Sequence, residues 1–229
     1  MKKPFFIFFL LTMSLNVSAQ SGVIKISNGK VVQGELFLKN QYVLENFLDA
    51  KITLKDGTVY ENKANINTVS QTLRIIEKNG DTLSVNVEKM IKAVRVSSAL
   101  FYKINDLYIR VLETNGKISL GQSKVIRIGE VVKKGAYGWN QETASITNVD
   151  ALSYNGKLER LTGEVTLMYN YREDLFLIKE GKLYTITKKN LAKLFPNQSK
   201  LIETFIENNN INLNQNSDIR ALFSYIINS

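Results

Sequence analysis

The side chains that most often carry enzyme chemistry are missing from this chain, which has no His and no Cys among its 229 residues. Without imidazole there is no Ser-His-Asp triad and no His metal ligand. Without thiols there is no Cys nucleophile, no Cys–zinc site and no disulfide. We therefore predict no catalytic, cofactor-binding or metal-ligating residues and no cofactor, and we expect that the protein is not an enzyme.

The adjacent acids Glu173 and Asp174 are the remaining candidates for acid/base work. Neighbours on a strand point to opposite faces, so a working pair is not expected from them. The sequence instead predicts a turn here, between "MYNYR" and "LFLIK". Two carboxylates from distant strands, about 5 to 10 Å apart in a cleft, would indicate the alternative of a carboxylate-dependent glycan hydrolase.

Two short segments have residue types that could bind a ligand or a partner. "NQNSD", residues 214–218, lacks the central Gly and terminal Glu of a calcium loop, so it predicts a polar turn and a helix start. "AYGWN" places Tyr137 and the single Trp, Trp139, between glycines in a predicted loop. Exposed aromatic rings of this kind stack on sugars or anchor a protein partner, and both residues are our candidate contacts. The alternative is that Trp139 folds back and closes the end of a sheet.

The first 19 residues have the layout of a secretory signal peptide. Lys2 and Lys3 precede an apolar run, and Val17-Ser18-Ala19 offers small residues for cleavage before Gln20. The run is too short to span a bilayer, although an uncleaved anchor is the alternative. We expect export to the periplasm or the periplasmic face of the outer membrane, with no transmembrane segment in the mature chain.

The chain is basic, with 30 Lys and Arg against 21 Asp and Glu. Loss of Lys2 and Lys3 with the signal peptide lowers the net charge from +9 to +7. Lysines are spread evenly without a dense run, so nucleic acid is not expected as a partner. A peripheral lipid- or lipopolysaccharide-binding protein is another alternative, and it would require basic side chains gathered on one face.

Residues 20–186 predict an antiparallel β-rich body. Asn-Gly, Asp-Gly or Glu-Gly recurs between β-rich flanks, as in "LKDGTVY", "ETNGKIS" and "KEGKLY", which is typical of tight hairpin turns. Apolar residues alternate in the flanks, as Ile52 and Leu54 do. The longer loop at 135–148 is a candidate boundary between two lobes. The predicted fold class is α+β, mainly β: a meander of hairpins in a curled sheet or a sandwich.

Residues 187–229 predict a three-helix C-terminal cap. Thr187 is placed to cap a first helix that Pro196 ends, Asn197 to cap a second, and Asn216 or Ser217 to start a third. Helices this short cannot bury their apolar faces alone, so we expect them to pack on the sheet or on each other. The residues expected to pack are Leu194, Phe195, Leu201, Phe205 and Ile206.

The tail "LYTITKKNLAKLFPNQSKLIETFIENNNINLNQNSDIRALFSYIIN" resembles the C-terminal end of a large uncharacterised group of exported proteins common in Bacteroidota. Members typically show an "LFP" break, a "FIKEN"-like helix and a "VTLKDGTVY"-like segment. Here Leu194-Phe195-Pro196, residues 205–208 and "AKITLKDGTVYENK" are similar to those motifs. The likeness covers roughly the last 45 residues well and residues 50–60 weakly. It implies export and a β-then-α layout, and it carries no assigned catalytic residues.

Together these features predict an exported cell-envelope protein that acts as a binding or scaffolding module. Export combined with a folded, turn-rich body that lacks catalytic side chains is the basis for this prediction. An envelope protein or an envelope polymer is the expected partner. The sequence leaves the oligomeric state open.

Overall fold

Hairpin-connected strands build most of the molecule. The structure, a computed structural model, describes residues 20–28, 30–76, 82–84, 87–134, 140–141 and 164–229. Its strands are β1 (Gln20–Ser27), β2 (Lys30–Gln33), β3 (Leu48–Leu54), β4 (Val59–Asn67), β5 (Thr72–Ile76), β6 (Thr82–Ser84), β7 (Ile91–Val96), β8 (Ala99–Ile104), β9 (Leu107–Asn115), β10 (Ile118–Lys134), β11 (Asn140–Gln141), β12 (Glu164–Lys179) and β13 (Lys182–Thr185). The predicted signal peptide lies outside the described residues.

All these strands belong to one antiparallel sheet. Across the described residues the order is β2-β1-β12-β10-β9-β8-β7-β3-β4-β5-β6, with β11 beside β10 and β13 beside β12. The sheet curves, and two hydrogen bonds between the turn after β4 and strand β10 show this. Ile126 N donates to Thr68 O at 3.0 Å, and Gln71 Nε2 donates to Lys124 O at 2.9 Å. The predicted α+β, mainly β fold is therefore confirmed, as a single curved sheet and not a two-sheet sandwich.

Several predicted turns reverse the chain where the sequence placed them. Asp56-Gly57 lies between β3 and β4, Gly116 follows Asn115 at the end of β9 and begins the turn to β10, and Glu180-Gly181 joins β12 to β13. The glycines take φ of 91°, 57° and 73° in that order, a region that residues with a Cβ adopt at a cost. Asn105-Asp106, with φ of 49° and 62°, makes a further tight turn that the sequence analysis did not single out.

Alternation along the strands buries one side chain in two, as the pattern predicts. Ile52 and Leu54 are 3% and 5% exposed, for example, while Lys51 between β3's buried residues faces solvent. Four apolar clusters result among the described residues, the smallest of which joins Ile104, Ile109 and Ile178. Of the other three, the first lies under the C-terminal helices, the second between β3 and β9, and the third beneath β1 and the short helix α1 (Glu35–Asn40).

The C-terminal tail contains three α-helices, as predicted: α2 (Lys188–Leu194), α3 (Ser199–Asn208) and α4 (Asn216–Asn228). Thr187 caps α2, because its side chain accepts a hydrogen bond of 3.1 Å from Asn190 N. The prediction that Asn197 caps α3 is wrong. A 3-10 turn, Pro196–Gln198, follows α2, and α3 begins only after it, without a side-chain cap.

The tail packs on the sheet. Ile202, Leu222 and Phe223 share a buried cluster with Leu120 and Leu177 of the sheet. Leu194, Phe195 and Ile206 are buried as predicted, and Phe205 is half-buried. The prediction for Leu201 is wrong, since 41% of its surface is exposed. Its position lies one residue round the helix from Ile202, beside the buried stripe instead of within it.

The long strands β10 and β12 form the centre of this arrangement, with 17 and 16 residues. The candidate lobe boundary at 135–148 lies outside the described residues except for Asn140 and Gln141, which pair with the end of β10. In the part of the chain that the structure describes, no helix has the length and apolar character needed to cross a membrane.

Candidate functional site

Over a short stretch, one edge of β12 has no strand partner among the described residues. On that edge β1 pairs with β12 from Glu164 to Tyr171, and β13 pairs from Phe176 to Lys179. No described strand pairs with Arg172–Leu175 between them, although β10 pairs with the same residues on the opposite edge. We call this interruption, with the side chains around it, the β12 notch.

The notch is a concave opening of about 600 Å³. Consecutive residues from Arg172 to Phe176 all line it, although their side chains alternate between the two faces of the sheet. The opening therefore wraps around the strand edge and does not lie on one face. The other lining residues come from β12 itself, the end of β13 and the residue after it, the connection before α4, and α4: Asn170, Thr185, Ile186, Leu213, Asn214, Asn216 and Ile219.

Backbone groups of β12 face into the notch. Lys179 and Lys182 flank the two-residue turn to β13, and the residues that flank such a turn form a hydrogen-bonded pair. Because the pattern alternates along the strand, the odd-numbered residues of β12 direct their N–H and C=O groups toward the β13 edge. Within the notch these residues are Glu173 and Leu175. The carbonyl of Glu173 accepts a hydrogen bond of 2.9 Å from Asn216 Nδ2, a side chain that takes the place of a strand.

The Glu173 carboxylate is a polar group between two apolar clusters on the same face of β12. One is the cluster under the C-terminal helices, which includes Leu175, and the other is the cluster beneath β1, which includes Tyr171. The carboxylate accepts hydrogen bonds of 2.6 Å from Gln122 Nε2 and 2.5 Å from Tyr171 O–H. Lys124 Nζ is 3.6 Å away. Burial, followed by the hydrogen bond and the negative charge of Glu173, raises the pKa of Tyr171 well above its ordinary value. The hydroxyl therefore remains a donor, and Glu173 is held in place by its neighbours.

Polar groups of a different kind line the other face of β12 at the notch. Arg172 and Asp174 form an ion pair of 2.9 Å, with both side chains partly exposed. Asn170 Oδ1 is buried and has no hydrogen-bond partner in the described structure. A buried acceptor without a donor is uncommon in folded proteins. The notch thus presents backbone groups, amides and a neutral charge pair.

The predicted turn at Glu173-Asp174 is wrong, because both residues lie in the middle of β12. The sequence suggested a turn because three charged residues interrupt the apolar alternation. The strand continues because Gln122 and Lys124 on β10 engage Glu173, while Arg172 engages Asp174. The two carboxylates lie on opposite faces of the strand, as expected for neighbours, so they do not form an acid/base pair.

A second polar cluster is buried at the β5–β9 side of the sheet. Glu88 accepts hydrogen bonds from Tyr108 O–H at 2.7 Å, Lys103 Nζ at 3.1 Å and Leu73 N at 3.0 Å. Lys103 also donates to the carbonyl of Gln71 at 2.6 Å. Burial, and then the charge of Glu88, raises the pKa of Tyr108 above its ordinary value. These groups satisfy one another, which indicates a structural role.

Two further segments were singled out from the sequence, and the structure describes one of them. Tyr137 and Trp139 lie outside the described residues. In "NQNSD", Asp218 accepts a hydrogen bond of 2.9 Å from the backbone of Asn212, which fits the predicted polar turn. No group of three or more acidic side chains placed to hold a metal occurs among the described residues.

Asn170, Arg172 and Asn216 were not predicted as site residues. The available signal was a polar run inside a segment of strand-like alternation, which predicts an unusual strand as readily as a turn. Comparison of the chain with protein-family models, curated proteins and solved structures found no significant match.

Proposed function

We propose that this protein is an exported, non-enzymatic binding or scaffolding module of the cell envelope, in the periplasm or on the periplasmic face of the outer membrane. We further propose that the β12 notch holds an extended segment of a partner protein. The observation that carries the proposal is the interruption at Arg172–Leu175, which leaves the backbone of a central strand without a strand neighbour among the described residues.

The flanking strands favour an extended peptide as the occupant. β1 and β13 both run antiparallel to β12 on this edge, so they lie along one line with the notch between their ends. A segment of about four residues, roughly 13 Å long, would fill the space between them and pair with Glu173 and Leu175. Adding a strand in this way uses backbone hydrogen bonds for affinity and side-chain contacts for selectivity.

The composition of the notch supports binding more than chemistry. Glu173 and Asp174 face opposite sides of β12, and each is engaged by neighbouring side chains. The unpartnered acceptor of Asn170 and the amides of Asn214 and Asn216 suit recognition of a peptide backbone. The Bacteroidota group that the tail resembles is part of the proposal only through the export that it implies.

Site-specific photocrosslinking in cells tests this function. A photoreactive phenylalanine analogue is placed at Asp174 on β12 and, in a second variant, at Asn214 on the opposite wall of the notch. Both positions are expected to crosslink to the same short segment of one envelope protein, identified by mass spectrometry. The matched control is Tyr60 on β4, a ring with 52% exposure that does not line the notch.

The pattern across the three positions decides the outcome. A shared segment at Asp174 and Asn214 that is missing at Tyr60 supports the proposal. Adducts to unrelated proteins at the two notch positions, the same adducts at Tyr60, or no adduct at either notch position would contradict it.

A further inference from the structure

The β1–β2 hairpin, α1 and the part of β12 next to β1 carry a set of exposed apolar side chains at the β2 end of the sheet order. Such residues are ordinary when scattered singly over a surface, but a contiguous group marks an interaction site. We call this group the corner patch. Its members, with their exposed fractions, are Val32 64%, Leu38 49%, Met168 48%, Val23 44% and Leu36 38%.

The members of the corner patch are neighbours. Val23 and Met168 are directly opposite each other in the pairing of β1 with β12. Val23, Val32, Leu36 and Leu38 line one groove of about 540 Å³ between the hairpin and α1. Four of the five members thus adjoin one groove, and Met168 lies beside Val23 in the sheet.

The patch is additional to a core that is already complete at this corner. Ile24, Ile26 and Phe37 come from the same elements and are at most 2% exposed. They pack with Leu167 and Tyr169 of β12. Because the inward positions are filled, the outward apolar residues are not needed to build the core, and a partner outside the protein would account for them.

Basic side chains surround the patch. Lys25 is two residues from Val23 on the same face of β1, Lys30 begins β2, and Lys39 follows Leu38 in α1. All three are exposed. Glu35 is the acidic side chain among the groove residues. An apolar surface with mainly cationic neighbours is complementary to a bilayer of anionic lipids, in which the acyl chains are apolar and the headgroups carry negative charge.

We propose that the corner patch binds the surface of an anionic lipid membrane, with Val32, Leu36 and Leu38 among the acyl chains and the three lysines at the phosphates. Lysine stems can lie along apolar surface while their ammonium groups reach the headgroups. A protein strand is a less suitable occupant, because β2 has only four residues and offers a short edge.

Vesicle flotation of the chain from Gln20 onward tests this proposal. The vesicles contain phosphatidylethanolamine with phosphatidylglycerol, or phosphatidylcholine alone as the neutral case. We expect the protein to float with the anionic vesicles and much less with the neutral ones, and flotation to fall between about 0.1 M and 0.5 M salt.

Val32→Asp should lower the bound fraction at least about ten-fold, because a charge replaces an inserted side chain. Lys30→Glu should lower it about five-fold or more on anionic vesicles only.

Matched variants on the far side of the sheet control for folding and net charge. Val59→Asp changes another exposed strand valine, at 47% exposure, and Lys55→Glu changes another exposed lysine. Both should float like the unmodified chain, and circular dichroism melting should confirm that all four variants fold. Absence of flotation with anionic vesicles, equal flotation with neutral ones, or equal losses in the corner and control variants would overturn the proposal. None of these results depends on the β12 notch.

Discussion

Asn216 Nδ2 donates a hydrogen bond of 2.9 Å to the backbone carbonyl of Glu173, and this bond ties the start of α4 to the stretch of β12 that has no described strand partner. In a continuous sheet this carbonyl would accept its hydrogen bond from a neighbouring strand. The helical cap therefore forms one wall of the notch and satisfies part of its backbone. A bound segment that supplied its own N–H to Glu173 would release this amide.

Replacing Asn216 should weaken the attachment of α4. Asn216→Ala removes the donor to Glu173, and we expect a loss of about 1 kcal/mol in the free energy of unfolding, as for a typical hydrogen bond. Asn214→Ala is the control, since that residue is exposed and also lines the notch. It should change the value by less than about 0.5 kcal/mol in urea titrations. Equal losses in the two variants would show that the Asn216 bond has no special role.

Alkaline pH should destabilise the fold through Tyr108. The pKa of Tyr108 is raised by burial and by Glu88 in the folded state, whereas the unfolded side chain loses its proton near its ordinary value of about 10. The stabilisation is thus complete below pH 10 and is lost as the pH rises further, because the unfolded state alone releases the proton.

Urea titrations at about pH 8 and pH 10.5 measure this effect. Tyr108→Phe should lose less stability between the two pH values than the unmodified chain. A residual fall is expected, because the pKa of Tyr171 is also raised by burial and by Glu173. Tyr60→Phe, which changes an exposed ring, should keep the full fall. If Tyr108→Phe lost as much stability between the two pH values as the unmodified chain, Tyr108 would not be the group responsible for the alkaline destabilisation.

Gly121 on β10 should not tolerate a side chain. A Cβ at this position would overlap the side chain of Ile109 and approach Ile178 Cδ1 to 2.7 Å, and both isoleucines are buried, which leaves them little room to move. We expect Gly121→Ala to lower the free energy of unfolding by about 1 to 3 kcal/mol. Gly129 is the matched control on the same strand, where the nearest atom would be 3.8 Å away. Thermal or urea unfolding that does not separate the two variants would contradict the packing described.

Phe205 should matter more to the tail than its neighbour Leu201. The ring of Phe205 stacks on Tyr225 of α4 with centroids 4.0 Å apart, whereas Leu201 is 41% exposed. Phe205→Asp should cost roughly 2 kcal/mol or more by removing a half-buried ring and placing a charge against the cap. Limited proteolysis should then cut residues 188–229 faster. Leu201→Asp should leave the cutting rate near that of the unmodified chain, and the reverse order would contradict the packing of α3.

Local features of the fold could be read from the sequence. Gly57 and Gly116 mark their turns because they take a positive φ that residues with a Cβ adopt only at a cost. Thr187 specifies the start of α2 through a hydrogen bond to a residue three positions along. In each case the determining contacts lie within a few residues, so one sequence is sufficient to predict them.

The candidate site could not be predicted because distant segments create it. Among the described residues, β1 begins at Gln20, opposite Tyr171, and β13 ends at Thr185, opposite Phe176, so that Arg172–Leu175 between them have no described strand partner on this edge. Glu173 remains within a strand only because Gln122 and Lys124 engage it from β10. Neither relationship leaves a local pattern in the sequence, apart from an unusual polar run within a strand.

Amide exchange by NMR tests the central claim about the β12 notch most directly. The chain from Gln20 onward is compared alone and with a synthetic peptide of the partner segment that crosslinks at position 174. We predict that exchange of the Glu173 and Leu175 amides slows at least about ten-fold, since both face the added strand. The amides of Arg172 and Asp174 face β10 and should not change. Unchanged exchange at Glu173 and Leu175, or equal slowing at all four residues, would contradict strand addition at this edge.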